Sequence, residues 1–287
     1  MLDRSTIQLL RFPFSFFLLP VYLFALSQTP QIDSRSALII FFILHLLVYP
    51  SSNGYNSYMD RDTESIGGLK NPPQPKTQLF WITAFMDFAA ILLGLLIGIY
   101  FTLGIALYIL ASRAYSYRGI RLKKYPILGY ITVILFQGAL IFWLVYHGSS
   151  SNRTLVVPFI PAIACSLMIG GFYPLTQVYQ HEADRRDDVK SISSMLGYRG
   201  TFVFCAAVYT LALFWMAFYF QQRMEIKKFI VMTTFLIPVL VFFLMWASKV
   251  WKNISAASFN NTMRMNVVAS VSTNLAFAAL LTWRIFE

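Results

Sequence analysis

Charge is what this chain has least of. Only 12% of its 287 residues are Asp, Glu, Lys or Arg, about half the share found in soluble domains. That shortage excludes a soluble globular fold. Hydrophobic residues make up 57% and aromatics 17%, at a mean hydropathy of +0.61, more apolar surface than one soluble core of this length can hide. The strict alternation of short segments expected of a transmembrane β-barrel is missing as well. Cysteine is nearly absent: Cys165 and Cys205 both lie inside apolar runs, which argues against a disulfide framework or a thiolate metal site. There is no soluble insert, low-complexity tract or linker. The net charge of +11 does not point to nucleic acid, because the basic residues fall in short loops between apolar runs, where membrane topology accounts for them.

What remains is an all-α polytopic membrane protein, read as one domain over residues 1–287. Windows of about 20 apolar residues suit a spanning helix. Nine are found, at 8–27, 37–55, 79–100, 102–117, 126–146, 154–178, 199–220, 228–247 and 266–284. The first holds Pro13 and Pro20 and no small-residue cleavage site follows it, so it is expected to remain as a helix rather than serve as a signal peptide. Gly94 and Gly98, four apart on the expected third helix, would allow close helix packing. No inverted repeat stands out that would suggest a transporter.

Loop charges set an orientation. Of the 23 Lys and Arg residues, 17 fall at the N-terminus and in the loops after helices 2, 4, 6 and 8, and 6 on the opposite side. The positive-inside rule then places the N-terminus and the long polar loops after helices 2, 4 and 6 in the cytoplasm, and the C-terminus outside.

Those three loops hold the candidate chemistry. After helix 2 the chain reads "NSYMDRDTE". Asn56, Asp60 and Glu64 recur every fourth residue and would share one helix face, an oxygen-rich patch of the kind hard divalent cations take. A solvated helix end reads equally well from spacing alone. After helix 6, in "QHEADRRDD", Gln180 and Asp184 repeat the spacing and Asp188 extends it. After helix 4, "YSYRGIRLKK" is basic. Its Arg121, Lys123 and Lys124, together with Lys70 in the first loop, can neutralise phosphate oxygens. Acids that draw metal, bases that draw phosphate and an apolar bundle beneath suggest a ligand with a diphosphate head and a hydrocarbon tail.

The ordered set resembles the UbiA superfamily of intramembrane prenyltransferases over essentially the whole chain. "NSYMDRDTE" (Asn56 to Glu64) is similar to the family's first acidic motif, "YSYRGIRLK" (Tyr115, Ser116, Arg121, Lys123) to its tyrosine–serine and basic motif, and "QHEAD" (Gln180, Asp184) to its second acidic motif. The resemblance implies nine transmembrane helices around a central cavity in an integral membrane protein, expected in the inner or plasma membrane of a bacterium. It implies Mg²⁺-dependent transfer of a prenyl group from an isoprenyl diphosphate donor to a hydrophobic or aromatic acceptor, with membrane lipid around the protein and no nucleic acid. Mg²⁺ ligands would be Asn56, Asp60, Glu64, Gln180 and Asp184. The diphosphate would meet Lys70, Arg121, Lys123 and Ser116, with Arg11 either joining them or snorkelling to the interface. Asp60, Asp184, Lys123 and Tyr115 would carry catalysis.

The sequence departs from the pattern at several points, among them Gln177, neutral where related proteins often have an acid, and "DDVKS" in place of a usual Gly-x-x-Thr. Ser57 stands where many members have an aspartate, Glu64 replaces a final aspartate, and Gln180 replaces a carboxylate with a neutral amide. Two further readings therefore stay open: an intramembrane terpene cyclase, and a non-catalytic binder of prenyl lipid. Of the three histidines, His45 reads as packed inside a helix, His147 as an outer-loop residue, and His181 lies beside the second acidic motif.

Overall fold

A computed structural model describes residues 3–286. The expected domain of residues 1–287 also includes Met1, Leu2 and Glu287, which lie outside the described residues. Thirteen α-helices follow in order: α1 (Arg4–Leu10), α2 (Leu19–Gln28), α3 (Ser34–Phe42), α4 (Tyr49–Asp60), α5 (Thr77–Gly94), α6 (Ile99–Ser116), α7 (Pro126–Ile134), α8 (Ile141–Ser149), α9 (Phe159–Phe172), α10 (His181–Arg186), α11 (Ile192–Gln222), α12 (Ile226–Lys252) and α13 (Phe259–Ile285). Several join into longer rods. Among the described residues, eight helices are long and apolar enough to cross a membrane. The bent pair Arg4–Phe17 and Leu19–Gln28, broken by 41°, is long and apolar enough to make a ninth if it is one span. The break follows from Pro13 and Pro20, which lack the N–H that would continue the helix.

Other interruptions also have local causes. In the rod from Ser34 to Asp60, the π-helical turn Ile43–Val48 precedes Pro50. The proline ring clashes with the carbonyl four residues back, that of Leu46, and the wider turn relieves the clash. A second π turn, Leu135–Leu140, presents Gly138 to the backbone of Ser166, and Ser166 Oγ accepts from the freed N–H of Ala139 at 3.0 Å. The expected third helix is shorter than its apolar window. It ends at Gly94, and Gly98, at φ 149°, forms the turn into α6, so only Gly94 serves close packing, against Thr102.

The rods form a ring. α2 packs on α8 and α13, α13 on α12, α12 on α11, α11 on α9, and α4 on both α5 and α6. The outside is apolar: Trp81, Phe85, Phe88 and Leu92 form an exposed stripe along α5, as hydrocarbon surroundings favour. Arg113 and Asp87 form an ion pair inside the spans. Arg113 lies within α6 rather than in the loop. Its Nε donates to Asp87 Oδ2 at 2.9 Å, Ser51 Oγ donates to Asp87 Oδ1 at 2.6 Å, and the guanidinium lies 3.9 Å from the Tyr55 ring centroid. This cluster ties α4, α5 and α6 together. It thereby sets the positions of the adjoining Ser52 and Ser112, which line the cavity described next.

Candidate active site

Three polar segments meet at one end of the ring, around a cavity of ≈ 240 Å³. The first is the end of α4. Arg61 adopts a left-handed conformation (φ 53°) and stops the helix at Asp60. The last carbonyls of the helix are satisfied from the second segment: Arg118 donates to Met59 O at 2.8 Å and to Asp60 O at 3.3 Å, as exposed helix ends require. The Asp60 side chain, 2% exposed, meets Lys123 Nζ at 2.5 Å through Oδ2, while Arg121 stands 3.7 Å from Oδ1. Asn56 Nδ2 donates to Asp60 Oδ2 at 2.8 Å and to Ser116 Oγ at 3.1 Å. Asp60 Oδ1 is buried without a hydrogen-bond partner.

The turn at Arg61 decides which acids reach the cavity. The helix face expected to run from Asn56 through Asp60 to Glu64 stops at Asp60. Glu64 instead pairs with Arg186 at 2.5 Å on the surface, 46% exposed, and does not line the cavity. Asp62 turns back into it. Burial and the neighbouring negative charge of Asp60 push its carboxyl up to about 6, against the pull of Lys123 and Arg11. Lys70 is exposed and does not line the cavity, and Arg121 lies just outside, ion-paired with Asp187.

The third segment follows α9. Pro174 opens a 3₁₀ stretch, Tyr173–Gln180. With three residues per turn, side chains at i and i+3 eclipse, so Tyr173, Thr176 and Tyr179 all line the cavity, beside Gln177, Gln180 and Asp184. Tyr173 bonds the hydroxyl of Tyr115 and accepts from Gln177 Nε2 at 2.9 Å. An α-helical count shows Gln180 and Asp184 but not this tyrosine face; the only local signal is Pro174. His181 faces away from the cavity, bonded to Ser193 Oγ at 2.7 Å. His45 is buried among Phe41, Tyr22 and Tyr49, and His147 stacks on Trp143.

Arg11 closes the fourth side. It is buried, donates to Gly67 O and Asn53 O at 3.1 Å each, and lies 5.5 Å from the Phe14 ring centroid. Of the two places open to it from sequence, it takes the inner one. Phe14, Ile66, Tyr108, Val133 and Phe136 supply apolar walls. One cavity thus holds three carboxyls (Asp60, Asp62, Asp184), two cations (Arg11, Lys123) and a partly apolar, aromatic lining. Among the described residues, no three Asp, Glu, His or Cys side chains converge tightly enough to hold a metal ion by themselves. Mg²⁺ takes only one or two carboxylates and completes its shell with water and phosphate oxygens. The unspent Asp60 Oδ1 and the hard oxygen donors around it fit such an ion.

Comparison with known proteins agrees in fold. The sequence profile of the UbiA prenyltransferase family matches residues 16–268. No curated protein matches the chain. A UbiA homolog from Archaeoglobus fulgidus, solved bound to DMAPP and Mg²⁺, is 19% identical over 97% of this chain and 99% of its own, with a TM-score of 0.70. A UbiA homolog from Aeropyrum pernix K1 in its apo form is 15% identical over 91% of this chain and 97% of its own, at 0.68. A structure of digeranylgeranylglyceryl phosphate synthase is 17% identical over 99% of both chains, at 0.62.

Proposed function

Because the chain belongs to the UbiA prenyltransferase family, we propose that it transfers a prenyl group from an isoprenyl diphosphate to a lipophilic acceptor within the membrane, as one domain over residues 1–287. The observation that carries this reading is the meeting of Asp60, Asp62, Asp184, Lys123 and Arg11, drawn from four separate segments, at one partly apolar cavity. The Archaeoglobus fulgidus homolog, bound to DMAPP in one structure and to GPP in another, each time with Mg²⁺, supports both donor and metal.

In this reading Lys123 and Arg11 bind the diphosphate oxygens as charge-assisted donors. Asp60, Asp62 and Asp184 would hold Mg²⁺, with Asn56 and Gln180 as neutral neighbours; the ion, when bound, neutralises diphosphate charge. The C1–O bond of the donor breaks and its electron pair leaves with the diphosphate. Lys123 and Arg11 stabilise that growing charge, the kind of contribution that is usually the largest in catalysis. Tyr115, Tyr173 and Phe136 line the same cavity, and their rings would shield the allyl cation, each such contact worth about 0.5–2 kcal/mol. The acceptor's nucleophilic atom then bonds to C1 and its proton leaves to a basic oxygen in the cavity. Glu64 and Lys70 fall outside this set because neither lines the cavity.

The test is incubation of the membrane-reconstituted protein with isoprenyl diphosphates of several lengths, with and without Mg²⁺ and aromatic acceptors, reading pyrophosphate and product mass. Mg²⁺-dependent pyrophosphate release with an acceptor–prenyl adduct is expected. Hydrocarbon product from donor alone would mean cyclisation, and no release under any condition would mean a binding protein. The division of the loop charges supports a cytoplasmic site and a cytoplasmic N-terminus. Reporters fused to the two ends should give opposite signals; matching signals would refute that topology.

A further inference from the structure

The last helix carries a polar row that this reaction does not use. Thr262, Asn266, Ser270 and Asn274 recur every fourth residue of α13 and share one face. All four are buried. Part of the row is spent on the first span: Ser270 Oγ donates to Phe16 O at 3.0 Å, and Asn274 Nδ2 to the same carbonyl at 3.2 Å. The rest is not. Thr262 Oγ1, Asn266 Oδ1 and Asn274 Oδ1 are buried without a hydrogen-bond partner. Inside a membrane span each such atom costs several kcal/mol unless something pairs it.

Asn266, Ser270 and Thr273 border a second cavity of ≈ 70 Å³, closed by Phe17, Phe172 and Tyr209. That is room for a small polar group or a few waters. It adjoins the first cavity across an aromatic partition. Phe14 lines the first, Phe17 the second, and their ring centroids are 4.8 Å apart, edge to face. On its other side it shares Phe172, Tyr209 and Val239 with an apolar groove of ≈ 420 Å³ against α11 and α12. Ile237, Leu240 and Leu244 of that groove are exposed to the surroundings of the bundle.

We propose that this second cavity holds the hydroxyl group of a long-chain alcohol lipid, with the alcohol's apolar chain in the adjoining groove. The chemistry selects a hydroxyl. The unspent amide oxygen at the cavity, Asn266 Oδ1, is an acceptor, so the ligand must donate. No charged side chain lines the cavity, so an ammonium or a carboxylate is not matched. A hydroxyl can donate to Asn266 Oδ1 and accept a bond in return. The Phe14–Phe17 partition separates this hydroxyl from the diphosphate cavity, so the alcohol bound here is not the attacking group. The inference does not rest on the prenyl-transfer reading.

The probe is a matched pair: a photoreactive long-chain primary alcohol carrying a diazirine, and its methyl ether. Each is irradiated with the full chain in lipid nanodiscs, and labelled peptides are identified by mass. The alcohol should label peptides around Asn266, Phe172 and Tyr209 about five-fold more than the ether, the selectivity one hydrogen bond gives. Asn266→Leu should erase that preference. Should the variant not fold, the wild-type comparison decides alone. Equal labelling by both probes, or labelling elsewhere, would mean that water fills the cavity and would overturn the proposal. Pyrophosphate release, measured in parallel on wild-type protein with donor, reports on the prenyl-transfer reading separately, since labelling needs no turnover.

Discussion

Lys123 Nζ lies 2.5 Å from Asp60 Oδ2 in a pair joining the end of α4 to the loop after α6, while Asp60 Oδ1 keeps no hydrogen-bond partner. One oxygen holds the two segments together and the other remains to be used. Asp60→Asn and Lys123→Met should each lower pyrophosphate release at least about 100-fold, as loss of a preorganised charge at a reacting centre does. Each removes its partner's nearest counter-charge, so the double variant should be destabilised less than the sum of the singles, by about 1–3 kcal/mol. Thermal unfolding of the four proteins in detergent gives the cycle; strict additivity would mean that the pair is not coupled.

Asp62→Asn tests the acid that turns back into the cavity. Its carboxyl is raised to about 6, above its ordinary unfolded value of about 3.9. The folded state therefore holds the proton more tightly. The stability gained is present below about pH 4 and is lost as pH rises through 6. Wild-type protein without metal should weaken across this window by about 1–2 kcal/mol after allowance for partial exposure. The Asn variant should weaken less, the remainder coming from Asp184, which burial also raises to about 6, so it should unfold at a higher temperature than wild type at pH 7 and close to it at pH 4. Parallel curves at both pH values would contradict this.

Glu64→Gln should matter little. Its ion pair with Arg186 is exposed at both ends, and such pairs are worth about 0–1 kcal/mol. Turnover should stay within about two-fold of wild type, since no contact made in the transition state is lost. A collapse of activity would show that Glu64 moves into the site when donor binds, as the resemblance alone implied.

Gln180 is the neutral side chain of the second acidic segment. Gln180→Asp adds a charge facing the same cavity as Asp184 and should lower the Mg²⁺ concentration for half-maximal turnover about ten-fold, the lower end of what changes around a metal site produce. Asp184→Asn should raise it sharply or end the reaction. Flat, identical Mg²⁺ titrations of donor binding in the three proteins would refute the metal role of this segment.

Much of this protein is determined locally. Apolar length, proline placement and loop charge are properties of the chain itself, so nine spans, the break at Pro13 and Pro20, and the three polar loops could be read before any packing was known. Asn56, Asp60, Lys123, Gln180 and Asp184 were legible as residue types at helix ends for the same reason. The selection among neighbours was not. A non-glycine residue in the left-handed region, Arg61, turns the chain so that Asp62 and not Glu64 enters the cavity; no glycine marks that turn, and helical spacing favoured Glu64. A 3₁₀ stretch replaces the α count and brings Tyr173, Thr176 and Tyr179 inward. The α13 row was written in the sequence at a four-residue period, yet only packing shows that three of its oxygens are buried and unspent. Spacing defines a face within one helix. Whether that face meets lipid, protein or a cavity depends on which other segments close around it, and those contacts are non-local.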